Sequence, residues 1–179
     1  MRFISYITNF LLFLAIVSCA DLFLTVRKIP NYKDVDPAFI SYYNEFMDLA
    51  TLHGVKFSHN ITMGFTDIKQ EHVVGITNYG VGFREIDIDS TFWWSASRTS
   101  RVVLEFHELT HAFCGRDHDY HGESYGDGED ARKNHPKKDM VFEDGCPRSI
   151  MYPLVLDDRC FVDHYNELTS EMFEGCNAY

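Results

Sequence analysis

The sequence predicts an α+β fold: a small twisted mixed sheet with one backing helix, a second helix laid against it, and an irregular C-terminal part that closes with a final helix. Three observations lead there. Apolar residues recur at helical spacing in two stretches, 36–54 and 95–114; short β-type runs lie between them; and periodicity is lost after residue 115 until about residue 149.

In the first stretch Asp36-Pro37 supplies an N-cap and a proline at the first helical position. Phe39, Ile40, Tyr43, Phe46, Met47 and Ala50 then make one stripe that ends at Gly54. Runs at Val55–Phe57, Ile61–Phe65, His72–Thr77 and Val81–Asp89, separated by Asn, Asp and Gly, read as strands. In the last of them Ile86 and Ile88 alternate with Asp87 and Asp89, the pattern of a strand with one buried face. Phe92-Trp93-Trp94 closes the sheet region as an apolar lid. Ser95–Cys114 forms the second helix, with Val102, Val103, Phe106, Leu109, Thr110 and Phe113 inward and Gly115 placed to stop it at positive φ. Residues 116–145, rich in Asp, Gly, His and Lys, predict a long irregular excursion, a feature that in a compact domain is functional or disordered. Apolar character returns at Ser149–Leu156, and Phe161–Phe173 predicts the final helix with Val162, Tyr165, Leu168, Met172 and Phe173 inward.

The 179 residues, 45% hydrophobic and 15% aromatic, suit one globular domain with an ordinary core. Acidic residues outnumber basic ones 27 to 16, the net charge is −11, and no Lys/Arg run exceeds a pair. The basic footprint that neutralises phosphates is missing, so nucleic acid is excluded as a partner.

The chain opens MRFISYITNFLLFLAIVSCADLF, with one cation (Arg2), an apolar run Phe10–Val17, and the small residues Ser18, Cys19 and Ala20. That layout predicts an export signal over 1–18, leaving one domain over 19–179. The run is shorter than the ~20 residues of a comfortable membrane span. Ile16-Val17-Ser18-Cys19 resembles a bacterial lipobox, in which cleavage precedes a Cys carrying diacylglycerol. Cys19 would then become a lipidated N-terminus attached to a bacterial membrane. Ser18-x-Ala20 also fits ordinary cleavage after Ala20, which would give a secreted or periplasmic protein. Export makes disulfides permissible, and five Cys suffice for one or two. Cys114 reads as a small buried hydrophobe; no pairing of Cys146, Cys160 and Cys176 follows from the sequence.

His107-Glu108-Leu109-Thr110-His111 lies inside the second helix. Residues four apart share a helix face, so two imidazoles can reach one ion at zinc–nitrogen distances near ~2.1 Å. Glu108 projects beside that face and can move a proton without ligating the metal. A third ligand is required. If Gly115 turns the chain back, His118 or Asp117 comes into reach; neutral imidazole is the commoner zinc ligand, and Asp117 has an ion-pair alternative in Arg116. Asp117, Asp119, Glu123, Asp127, Glu129 and Asp130 make a structural Ca²⁺ conceivable, but no spacing matches a defined calcium loop and a solvated acidic loop is expected. His121 and His135 read as loop histidines.

The stretch HELTHAFCGRDH resembles the signature of the metzincin zinc peptidases, the group that includes astacins and matrixins, His-Glu-x-x-His-x-x-Gly-x-x-His. It departs by one residue, because Gly115 and His118 each come one position late. Ser149-Ile150-Met151-Tyr152-Pro153 resembles the Met-turn that completes the signature. REIDIDSTFWW ahead of the helix also resembles small bacterial metallopeptidases with a His-Glu-Leu-x-His…Gly-Arg-x-His pattern. The resemblance spans about residues 84–153. It implies a metzincin-like fold and one catalytic Zn²⁺ held by His107, His111 and His118, with Asp117 as the alternative to His118. It further implies Glu108 as general base and Met151 as a structural residue beneath the metal. The activity implied is that of a metalloendopeptidase acting on peptide or protein substrates, with Val81–Asp89 as the upper edge of the cleft and Glu85, Asp87 and Asp89 as an acidic rim. The alternative is an exported, zinc-stabilised binding or interaction protein with little or no turnover; a third is a hydrolase of non-peptide amides.

Overall fold

A computed structural model describes residues 34–58, 60–126 and 137–176. The export segment and Cys19 lie outside the described residues, as do Asp127, Glu129, Asp130 and His135. The architecture is α+β, a small mixed sheet with several helices.

Helix α1 (Ile40–Leu52) is introduced by a turn in which the Asp36 carboxylate accepts the Ala38 N–H at 2.9 Å. Its stripe falls as expected, with Phe39, Tyr43, Phe46 and Ala50 buried, and Gly54 ends the segment at φ +75°. Three strands follow: β1 (Thr62–Thr66), β2 (Gly75–Gly80) and β3 (Phe83–Asp89), in the order β1-β3-β2. β1 runs parallel to β3, pairing Thr62 with Glu85 and Thr66 with Asp89. β2 runs antiparallel, pairing Gly75 with Ile88 and Gly80 with Phe83.

Three strand expectations need correction. Val55–Phe57 is no strand: the Val55 N–H bonds back to Ala50 O, and the Phe57 ring packs against Phe46 and Phe113 with no ladder partner. The second strand of the hairpin begins at Gly75 rather than His72, because the chain turns over 70–73, where the Val73 N–H bonds Gln70 O; Val74 O still accepts the Asp89 N–H at 2.9 Å. β3 is the central strand between β1 and β2; Val35 bridges Met63 on the outer side of β1, whereas no strand among the described residues pairs with the outer edge of β2. Asp89 is also not a rim residue: one carboxylate oxygen accepts the Phe92 N–H, the other the Ile68 N–H.

Asp89 thereby caps α2 (Ser90–Ser95), a short helix that carries the Phe92-Trp93-Trp94 lid and for which the sequence predicts no separate element. Its three aromatics divide. Trp93 is buried edge-on against Phe39 and Tyr42, whereas Trp94 is 65% exposed. Helix α3 (Arg98–Cys114) starts at Ser97, whose hydroxyl accepts the Ser100 N–H at 2.9 Å. It ends at Gly115, φ +62°, as the glycine's position predicts. Its inner face packs on α1 and the sheet. Arg84 of β3 reaches it too, donating Nε–H to Ala112 O at 2.8 Å and lying 4.9 Å over the Phe113 ring.

The excursion after Gly115 is less irregular than its composition suggests. A two-residue hairpin, β4 (Asp119–Tyr120) and β5 (Glu123–Ser124), turns at His121 and Gly122, both at positive φ, the geometry favoured in tight hairpins. The expected final helix is two, α4 (Asp158–Asp163) and α5 (Tyr165–Glu171). The break falls at His164, whose ring stacks 3.7 Å from Phe142 and whose Nε2 lies 3.0 Å from the Asp144 carboxylate. Val162, expected inward, is 62% exposed, while Leu168, Met172 and Phe173 are buried. Disulfides join Cys114 to Cys176 and Cys146 to Cys160, so Cys114 is a cross-linked residue and not a free buried thiol.

Candidate metal centre and cleft

The helical spacing of α3 brings His107 and His111 onto one face, and the αL turn at Gly115 returns the chain so that His118 joins them. The Nε2 atoms are 3.0 Å apart for His107 and His111, 3.1 Å for His107 and His118, and 3.2 Å for His111 and His118. Together they form a partly buried group able to hold a metal ion. His118 is held in part by its own backbone: its carbonyl accepts the Tyr125 N–H at 3.0 Å, and its N–H bonds the Asp117 carboxylate at 2.9 Å. Asp117 is thereby used locally, outside the imidazole group, and Arg116 pairs with Glu171 in place of the expected Asp117.

The tautomers explain why this group fits a cation. His107 Nδ1 contacts Ile150 O at 2.8 Å, and His111 Nδ1 contacts Arg116 O at 2.5 Å. A carbonyl oxygen only accepts, so both Nδ1 atoms carry hydrogen and both Nε2 atoms present bare lone pairs to each other at 3.0 Å. That approach is repulsive unless a cation lies between them. Burial, the largest cause for both, pushes the His107 pKa well below 6.5 and lowers that of His111, which keeps the rings neutral and ready to ligate. Three imidazole nitrogens suit a transition-metal cation.

Glu108 sits beside the triad, buried against β2. Thr77 Oγ1 donates to its Oε2 at 2.6 Å. Gly75, two residues earlier on the same strand face, makes room: a Cβ there would fall 2.3 Å from Glu108 Oε1. Burial raises the Glu108 pKa to about 7 despite the Thr77 hydrogen bond, which lowers it. One turn earlier Glu105 is fully buried with no hydrogen-bond partner on either oxygen among the described residues; burial, helped by Glu108, pushes its pKa well up and keeps it neutral.

A cleft of about 700 Å³ opens onto His107, Glu108 and His118. Its walls are largely apolar, with Val103 and Leu104 of α3 and Pro153, Leu154 and Val155 after the turn, and Gln70, Glu71 and His72 form a polar rim. His72 has φ +69°, an uncommon conformation for a side-chain-bearing residue. Met151 is fully buried in the turn 149–152, where its N–H donates to Ser149 Oγ at 3.0 Å.

Asp117, Asp119 and Glu123 belong to no ligand group among the described residues. A second group, Asp144, Cys146 and His164, has its sulfur committed to the Cys146–Cys160 disulfide and offers no thiolate. Sequence reasoning missed Gly75, Thr77, Glu105 and the Arg116–Glu171 pair. Only Glu105 had a local signal, lying three residues before Glu108 on the same helix face. No protein-family model matches the chain, and comparison with curated proteins and with solved structures returns no match.

Proposed function

We propose that the protein is an exported zinc-dependent metallopeptidase of the metzincin kind. The observation that carries this reading is the set of bare Nε2 lone pairs of His107 and His111, fixed by their Nδ1–carbonyl bonds and joined by His118, with a buried carboxylate at the lip of an apolar cleft. Zinc held by the three imidazoles supplies Lewis acidity toward water and toward a scissile carbonyl. Glu108 has one oxygen engaged by Thr77 and the other, Oε1, available to accept a proton from the attacking water and return it to the leaving amine. The outer edge of β2 offers main-chain N–H and C=O groups to which an extended peptide adds as a further strand, carrying its carbonyl past Glu108. In this reading Met151 is the apolar floor beneath the imidazoles. The two disulfides favour an oxidising compartment, in keeping with the export signal over 1–18 and lipidation at Cys19.

The test pairs zinc analysis with an unbiased peptide-library digest of wild type and Glu108→Gln. Both should hold one zinc, and the variant should lose on the order of 10²-fold or more in rate. Zinc without hydrolysis in the wild type would favour an exported zinc-stabilised binding protein instead. Cys19→Ala should release the protein from membranes; a mature N-terminus at Asp21 would replace lipidation by ordinary cleavage.

A further inference from the structure

We propose that the largely buried ion pair between Arg116 and Glu171 is a positioning device for the metal centre, holding in place the two backbone carbonyls that orient the His107 and His111 rings. The proposal rests on reading the imidazole group as a metal site and is independent of peptidase activity.

Each carbonyl belongs to a segment with no regular secondary structure to fix it. Ile150 O, which takes the His107 Nδ1 hydrogen, lies in the turn 149–152; Arg116 O, which takes the His111 Nδ1 hydrogen, lies just past the end of α3. One side chain ties both down. The Glu171 carboxylate takes Arg116 Nη2 on one oxygen and the Ile150 N–H, at 3.4 Å, on the other. The Arg116 guanidinium spans the same gap from the opposite side. Its Nη1 donates to Glu171 O at 2.8 Å, and its Nη2 reaches Ser149 Oγ at 3.4 Å and Asp119 O at 3.3 Å. The residue whose carbonyl orients one ligand therefore grips, through its own side chain, the turn whose carbonyl orients the other.

Glu171 is buried and Arg116 largely so, with side chains 9% and 13% exposed. Burying two charges is expensive, and an apolar pair of similar volume usually stabilises a fold as well or better. An apolar pair, however, has no directional bonds with which to set two carbonyls at once. The planar fork of arginine and the two oxygens of glutamate do.

The test measures metal affinity and stability separately. Zinc affinity of the folded protein is read by competition with a chromophoric chelator, coordination by the visible absorption of the cobalt-substituted protein, and stability of the metal-free protein by urea unfolding. Glu171→Gln, which keeps shape and loses charge, and Arg116→Lys, which keeps charge and loses the fork, should each weaken zinc ~10–100-fold and alter the cobalt spectrum. Phe39→Leu, a core change remote from the pair, should lower stability and leave zinc affinity as in the wild type. Wild-type affinity and an unchanged cobalt spectrum in both pair variants would reduce the pair to a structural tie and overturn the proposal. Should neither variant fold, proton exchange at the histidine rings of the metal-free wild type decides. Slowly exchanging Nδ1 hydrogens on His107 and His111 support the proposal; rapid exchange and mixed tautomers overturn it. A wild type that takes up neither zinc nor cobalt removes the metal site itself, an outcome distinct from equal binding by wild type and variants.

Discussion

Thr77 Oγ1 lies 2.6 Å from Glu108 Oε2, so an edge-strand hydroxyl fixes a buried carboxylate that borders both the imidazole triad and the cleft. A hydrogen bond to a charged group contributes ~1.5–3 kcal/mol. On the proposed peptidase reading, Thr77→Val should keep zinc and lower kcat ~10–100-fold, Thr77→Ser should restore most of it, and Gly75→Ala should act like Thr77→Val by displacing Oε1. Peptide-hydrolysis kinetics on zinc-loaded protein check all three; a Thr77→Val enzyme with wild-type kcat would leave the hydroxyl a packing group.

The Glu108 carboxyl also sets a pH dependence. Unfolded, a glutamate ionises near 4.5; in the folded, metal-free protein burial keeps Glu108 protonated to about 7. Between those values the folded state binds the extra proton, so this group's contribution to stability falls as pH rises and is flat above about 7. The gap corresponds to at most ~3 kcal/mol. Metal-free Glu108→Gln should therefore gain on the wild type by up to that amount across the window, as measured by urea unfolding; a constant difference would place the ionised carboxylate comfortably in the fold.

Much of this was legible in advance, and the boundary has a physical basis. The helix stripes, the stop at Gly115 and the pairing of His107 with His111 are consequences of local periodicity and backbone conformation, which short sequence windows contain. The order of strands is not local. Nothing in Val81–Asp89 announces that a parallel partner will cover its far side, and so β2 took the edge. Thr77 is equally silent, since its task is defined by a helix 31 residues away. Arg116 has an acidic neighbour in Asp117, yet its partner stands 55 residues further on.

Met151, fully buried, should behave as a packing element. Met151→Leu conserves volume and should cost under ~1.5 kcal/mol, whereas Met151→Ala opens a cavity and should cost ~2–5 kcal/mol. Thermal and urea unfolding of the metal-free protein give both numbers. An alanine variant no less stable than a surface control would show that the turn does not need the side chain.

The third ligand can be decided by titration with zinc. His118→Ala removes a nitrogen from the triad and should empty the site at concentrations that saturate the wild type. Asp117→Ala removes only the acceptor for the His118 N–H and should leave the site filled. The reverse result would transfer the ligand role to Asp117.

The orientation of the histidines depends on groups far downstream of them in the chain. His107 depends on a carbonyl 43 residues downstream, and Arg116 on a carboxylate 55 residues downstream. The Cys114–Cys176 link spans 62 residues. A nascent chain that has just emerged past His118 thus has its three imidazoles on hand but neither Ile150 nor Glu171 to orient them. On the proposed reading the full affinity of the centre is then reached only once α5 has been synthesised and docked, and if the chain is exported unfolded, the compartment in which folding finishes supplies the ion that is held most tightly.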